Sequence, residues 1–103
     1  MQGAPDAAWS WRQLPAMSVA RRGCRGCVMS DGRFAVLGGW SGGGYTTSCE
    51  ALAIGDDDEH WVPLLPVHDA RRYCACAAVA GCVIVAGGSG RRSAEVYDEV
   101  RDR

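Results

Sequence analysis

Arg33-Phe-Ala-Val-Leu-Gly38-Gly39 in the first half of the chain is answered by Cys82-Val-Ile-Val-Ala-Gly87-Gly88 in the second. The same neighbours surround both runs. Ala20-Arg21-Arg22-Gly23-Cys24 and Ala70-Arg71-Arg72-Tyr73-Cys74 lie upstream; Ser48-Cys-Glu50-Ala-Leu52 and Ser93-Ala-Glu95-Val-Tyr97 lie downstream. Trp11-Arg-Gln-Leu-Pro15 and Trp61-Val-Pro-Leu-Leu-Pro66 complete the pattern. Trp11 to Trp61, Arg21 to Arg71 and Cys24 to Cys74 each step by 50 residues, and Gly38 to Gly87 by 49. A fixed period of this kind means one supersecondary unit built twice.

Each unit reads as short strands, roughly 23–29, 33–38, 48–54 and 60–64 in the first and 74–80, 82–87 and 93–98 in the second. Asp31-Gly32 between two apolar runs signals a tight hairpin. Phe34-Ala-Val-Leu37 and Val83-Ile-Val-Ala86 are continuous rather than alternating, which predicts burial on both faces. The Gly-Gly after each run lets the backbone turn sharply and approach its neighbours with no Cβ in the way. A period near 50 with a doubled glycine and a late tryptophan is the sequence form of a propeller blade. The expected fold class is therefore all-β without helix: a partial β-propeller of about two four-stranded antiparallel blades. Residues 1–8 are expected as a disordered tail, 9–14 as the last strand of a preceding blade, 21–64 as a complete blade and 71–98 as an incomplete one. Propellers close with about four to eight blades, so two units should leave open faces and bare edges.

Composition narrows the function classes. A hydrophobic share of 48% is ample for a core, and a net charge of −1 argues against a nucleic-acid binder held by bulk electrostatics. All 11 basic residues are arginine, a bias with little functional weight. No run of about 18 apolar residues predicts a transmembrane helix, so no membrane association is expected. The first residues lack the basic and apolar regions of a signal peptide. Six cysteines are expected to remain thiols in a reducing compartment, cytoplasmic or nuclear.

The order Arg-Arg-x-Cys, apolar run, Gly-Gly, Ser-x-Glu-Val-Tyr-Asp, Trp-x-x-Leu-Pro resembles the kelch repeat across residues 9–103. Ala70-Arg71-Arg72-Tyr73-Cys74-Ala-Cys76 and Ser93-Ala-Glu-Val-Tyr-Asp98 resemble, more narrowly, the kelch repeats of plant F-box/kelch proteins. That resemblance implies a propeller that binds a protein destined for degradation, in some members an enzyme of phenylpropanoid synthesis. An F-box recruits the cullin-based ubiquitin ligase there through a Skp1-type adaptor. Residues 1–8 are too few to encode an F-box, so substrate recognition is the expected inheritance and a Skp1-type adaptor is not an expected partner. A truncated kelch gene product, folding only beside other blades or as a homo-oligomer, is the alternative.

Antiparallel strands alternate direction, so the b–c and d–a loops emerge on one face, at 16–22, 39–47, 66–72 and 89–92. This face would hold Arg21, Arg22, Arg71, Arg72, Arg91 and Arg92, with Trp40 and Tyr45 at the tip of a long glycine-rich loop. Arginine and aromatic residues on loops are what protein interfaces enrich, so these eight are the candidate partner-binding residues. Arg21/Arg22 and Arg71/Arg72 recur at matching positions, as do Glu50 and Glu95. A repeated Arg–Glu ion pair inside the blade is thus the competing role for one arginine of each pair. Trp40 and Tyr45 have no counterpart in the repeat.

Other chemistry finds weaker footing. Ser41-Gly-Gly-Gly44 lacks the lysine and following helix of a phosphate loop. Asp56-Asp-Asp-Glu59 reads as a solvated turn. Cys24-x-x-Cys27 beside Cys74-x-Cys76 invites zinc, but Cys24 and Cys27 would point to opposite faces of a strand. Small buried hydrophobes explain these cysteines better. Gly88-Ser89-Gly90 lacks the nucleophile-elbow spacing. The chain is expected to be non-catalytic, with no cofactor and no metal.

Overall fold

The computed structural model describes residues 10–55 and 57–99 of the 103-residue chain. Nine antiparallel strands and no helix form among the described residues. They are β1 (Arg25–Val28), β2 (Phe34–Leu37), β3 (Trp40–Ser41), β4 (Gly44–Tyr45), β5 (Cys49–Leu52), β6 (Trp61–Leu64), β7 (Ala75–Val79), β8 (Cys82–Ala86) and β9 (Ala94–Asp98). The first unit is a four-stranded sheet, β1-β2-β5-β6, and the second a three-stranded sheet, β7-β8-β9. Among the described residues, no helix is long and apolar enough to cross a membrane.

Register explains where the core sits. Cys27, Ala35, Ala51 and Val62 stand opposite one another across the first sheet, as do Arg25, Leu37, Cys49 and Leu64. Residues opposite one another share a face, and alternate residues along each strand join them. This back face meets Cys76, Val83, Val85 and Tyr97 of the second sheet, and the hydrophobic core lies between them. The front face of the first sheet carries Glu50 and Trp61. The segment 15–18 crosses it, with the Ser18 amide donating to Glu50 and the Trp61 indole donating to the Pro15 carbonyl at 2.8 Å.

The two apolar runs fare differently. In β2, Ala35, Val36 and Leu37 are buried while Phe34 is partly exposed, close to the two-sided burial expected. In β8 only Val83 and Val85 are buried. Ile84 turns away, and with Ala75, Ala77, Val79 and Val96 it forms an exposed apolar face. The expectation of burial on both faces fails in the second unit because no described element covers that side.

Two further expectations are corrected. Of the span 9–14 expected as a last strand, residues 10–14 form no strand. Trp9 and residues 1–8 lie outside the described residues. The glycine-rich loop is a miniature hairpin in which Trp40 faces Tyr45 and Ser41 faces Gly44. Gly42 and Gly43 turn it at φ 63° and 90°, the two positive angles that a tight right-twisted hairpin requires. The rings therefore stand at the base of the hairpin, and the glycines occupy the tip.

Candidate partner-binding site

The arginine pairs divide by depth. Arg21 turns into the first unit, its side chain fully buried beside Glu50. Its Nη1 donates to the Gly38 and Ser48 carbonyls at 3.0 and 2.8 Å, and its Nη2 to Ser48 Oγ and Glu50 Oε2, each at 2.9 Å. Arg71 repeats the set on Gly87, Ser93 and Glu95, with Nη1 contacts of 2.8 and 2.7 Å and Nη2 contacts of 3.0 Å. Burial pushes both glutamates up, yet the donors around them prevail. Arg21 and Ser18 hold Glu50 below the usual carboxylate range, and the Asp69 and His68 amides with Arg71 do so for Glu95. Arg21 and Arg71 are thus removed from the candidate surface. Each is a structural brace whose guanidinium satisfies carbonyls that turn away from the strand ladder.

The glycine pairs make room for this. Gly39, at φ 100°, donates its N–H to the Arg71 carbonyl at 2.8 Å. A Cβ there would stand 2.8 Å from the Arg22 carbonyl oxygen and 3.0 Å from the Cys24 nitrogen, backbone atoms that cannot swing aside.

Arg22 and Arg72 remain outside the braces, and the structure brings them to the aromatic hairpin. Arg22 bridges Trp40 through reciprocal backbone hydrogen bonds of 3.1 and 2.8 Å. Its guanidinium carbon lies 5.9 Å from the Trp40 ring centre. Arg72 lies 5.6 Å from Trp40, 5.3 Å from Tyr45 and 5.1 Å from Tyr73. Trp40 and Tyr45 meet edge to face at 5.0 Å and 80°. Cation–π contacts of this kind contribute about 0.5–2 kcal/mol each, enough to fix the guanidinium without neutralising it. Among the described residues neither Arg22 nor Arg72 has a carboxylate within ion-pair distance, and Arg72 Nε is buried without a hydrogen-bond partner.

Tyr73 was not singled out by the sequence reading. Its backbone is left-handed at φ 60°, where the first unit places Gly23 at φ 67°. A side chain in that conformation costs about 1–2 kcal/mol. The signal was present in the repeat: a glycine in one copy faces an aromatic in the other. Gly23 itself is required, because a Cβ there would fall 2.4 Å from Arg72 Cγ.

The remaining candidates lie apart. Arg91 donates to the Ala70 carbonyl at 3.3 Å and approaches Asp69 at 4.0 Å. Arg92 is exposed. The acidic turn is more than solvated: Arg12 binds Glu59 through two 2.8 Å hydrogen bonds, and with the Gly55 amide it pulls that carboxyl down to about 2. Asp56 lies outside the described residues.

All six cysteines are free. Burial pushes Cys27, Cys49, Cys74 and Cys76 up, Cys76 to about 12 with the neighbouring Cys27 thiol adding to the effect. These thiols are held protonated and suit packing better than nucleophilic attack. Among the described residues no group of three or more His, Cys, Asp or Glu side chains could hold a metal ion. What the loops offer is two unneutralised arginines on an aromatic platform, suited to acidic or aromatic groups of a partner. No model of a known protein family matches the sequence.

Proposed function

We propose that this chain is a non-catalytic protein-interaction module of kelch-propeller type. It resembles the substrate-recognition part of plant F-box/kelch ubiquitin-ligase receptors and grips a target protein through Arg22, Trp40, Tyr45, Arg72 and Tyr73. The two sheets would be one complete and one incomplete blade. The observation that carries the reading is Arg72, caged by three rings yet paired with no carboxylate, beside a tyrosine in a strained backbone conformation. Strain of this sort persists where function selects it. Arg22→Glu with Arg72→Glu leaves the buried braces intact, so far-ultraviolet circular dichroism should be unchanged. Capture of proteins from a plant extract, quantified by mass spectrometry, should collapse. Equal capture by both forms would remove the cluster from the reading.

A second reading is favoured by the exposed face of Val79, Ile84 and Val96, at 51%, 37% and 60% exposure. On that reading the chain has no activity alone and works only within a larger assembly of such units. Capture measured on the chain diluted to monomer separates the two: a monomer that still captures its target supports the first, and capture found only with the assembled form supports the second.

A further inference from the structure

Trp61 shows what completes a unit of this fold. Its ring meets Phe34 edge-on at 6.3 Å, and its indole N–H donates to the Pro15 carbonyl at 2.8 Å. Stepping forward by the repeat turns Phe34 into Val83 and Pro15 into Leu65. Both line an apolar cleft of ≈ 670 Å³ between the two sheets, together with Pro66, Val85 and Tyr97. Among the described residues no tryptophan lines it. The chain nevertheless carries one at the matching place in the repeat, Trp11, and its ring is fully exposed at 102%.

Trp11 cannot fill its own cleft. Pro15 and Ser18 are bound to the front face of the first sheet, whereas the cleft opens on the back face beside Ala35, Leu37 and Cys49. A second copy meets no such barrier. We propose that residues 11–14 of one copy join the sheet edge at β9 of another as its fourth strand, seating Trp11 in that copy's cleft. β6 pairs with β5 so that Leu64 faces Cys49 and Val62 faces Ala51. The same register puts Leu14 opposite Ala94 and Arg12 opposite Val96.

Two observations fit this arrangement independently of the cleft. Side chains alternate along a strand, so Trp11 and Arg12 point opposite ways, and Arg12 is already turned onto Glu59 of its own chain. The docking also covers what each chain leaves bare. It lays the front of the first sheet, where Val28 and Phe34 are 62% and 36% exposed, on Ala77, Ile84 and Val96 of the second sheet. By the repeat these three correspond to Cys27, Ala35 and Ala51, which face the second sheet within one chain, while Phe34 corresponds to Val83 across that junction. The contact between copies therefore repeats the contact within a copy. It is head-to-tail, giving a closed ring or an open array according to the rotation per copy. It uses the repeat alone and none of the loop cluster, so it stands or falls separately from the partner-binding reading.

Light scattering over rising concentration of the full chain tests this. Wild type should gain mass in steps of whole chains. Trp11→Ala and, separately, Ile84→Asp should weaken that association more than about 10-fold. Both positions are solvent-facing in the single chain, so circular dichroism should be unchanged by either substitution. A synthetic peptide of residues 10–15 should compete, and its Trp11→Ala form should not. Wild type that stays monomeric throughout overturns the proposal, as does association that both variants leave untouched.

Discussion

Arg71→Ala is the sharpest test of the braces. The substitution deletes hydrogen bonds to the Gly87 and Ser93 carbonyls, to Ser93 Oγ, and two to Glu95 at 3.0 and 3.3 Å. Glu95, with a side chain only 15% exposed, keeps the His68 and Asp69 amides but loses its countercharge. Breaking one partner of a buried pair costs about 3–5 kcal/mol, a large share of the roughly 5–15 kcal/mol that holds a domain together. Arg72→Ala, one residue away, removes three ring contacts that share one guanidinium and are not additive, and should cost about 1–2 kcal/mol. Urea unfolding followed by circular dichroism reads both. The Arg71→Ala midpoint should fall by more than about 1 M, about twice the Arg72→Ala shift or more. Equal shifts for the two neighbours would falsify the assignment of Arg71 as brace and Arg72 as contact. Arg21→Ala should match or exceed Arg71→Ala, since Glu50 is more deeply buried at 4%.

Further outcomes follow from the same geometry. Glu50 and Glu95 titrate lower folded than unfolded, so their stabilisation is complete above the unfolded value of about 4.3 and is lost as pH falls through the folded values. Urea midpoints should be level from pH 7 to 5 and drop below pH 4; a midpoint at pH 3 equal to that at pH 7 contradicts the pairing. Tyr73→Gly relieves about 1–2 kcal/mol of left-handed strain but surrenders a ring contact and adds unfolded-state freedom of similar size. Its thermal midpoint should barely move while partner capture falls, whereas a large loss of stability would make Tyr73 a packing residue. Cys76, raised to about 12, should resist alkylation at pH 8 in the native chain and react promptly in urea; equal rates in both would show its thiol to be open.

Much of this architecture was legible in the repeat. Seven strands fall within the expected spans, trimmed by a residue or so at their ends, and the Asp31-Gly32 hairpin closes where the dipeptide stands. The Arg–Glu alternative was readable because both partners recur together. Which arginine of each pair turns inward was not, since Arg21 and Arg22 offer the same chemistry and only the path of the chain separates them. The β3–β4 hairpin escaped for a different reason: two residues per strand are too few to show alternation. Ile84 misled because an apolar run looks the same whether or not an element covers its far side. The residues of a strand do not encode what stands opposite them.

The carbonyl of Arg71 accepts the Gly39 amide at 2.8 Å while its guanidinium is spent on Gly87, Ser93 and Glu95. One residue thus rivets two units, the main chain holding one and the side chain the other. The Tyr73 amide on the Gly23 carbonyl and Arg25 Nε on the Cys74 carbonyl reinforce the seam. In the language of linear arrays, the nearest-neighbour coupling is carried by the same atoms as the intrinsic stability of the second unit. The two sheets should therefore open as a single foldon, with the amides of Gly39 and Tyr73 exchanging at one common rate.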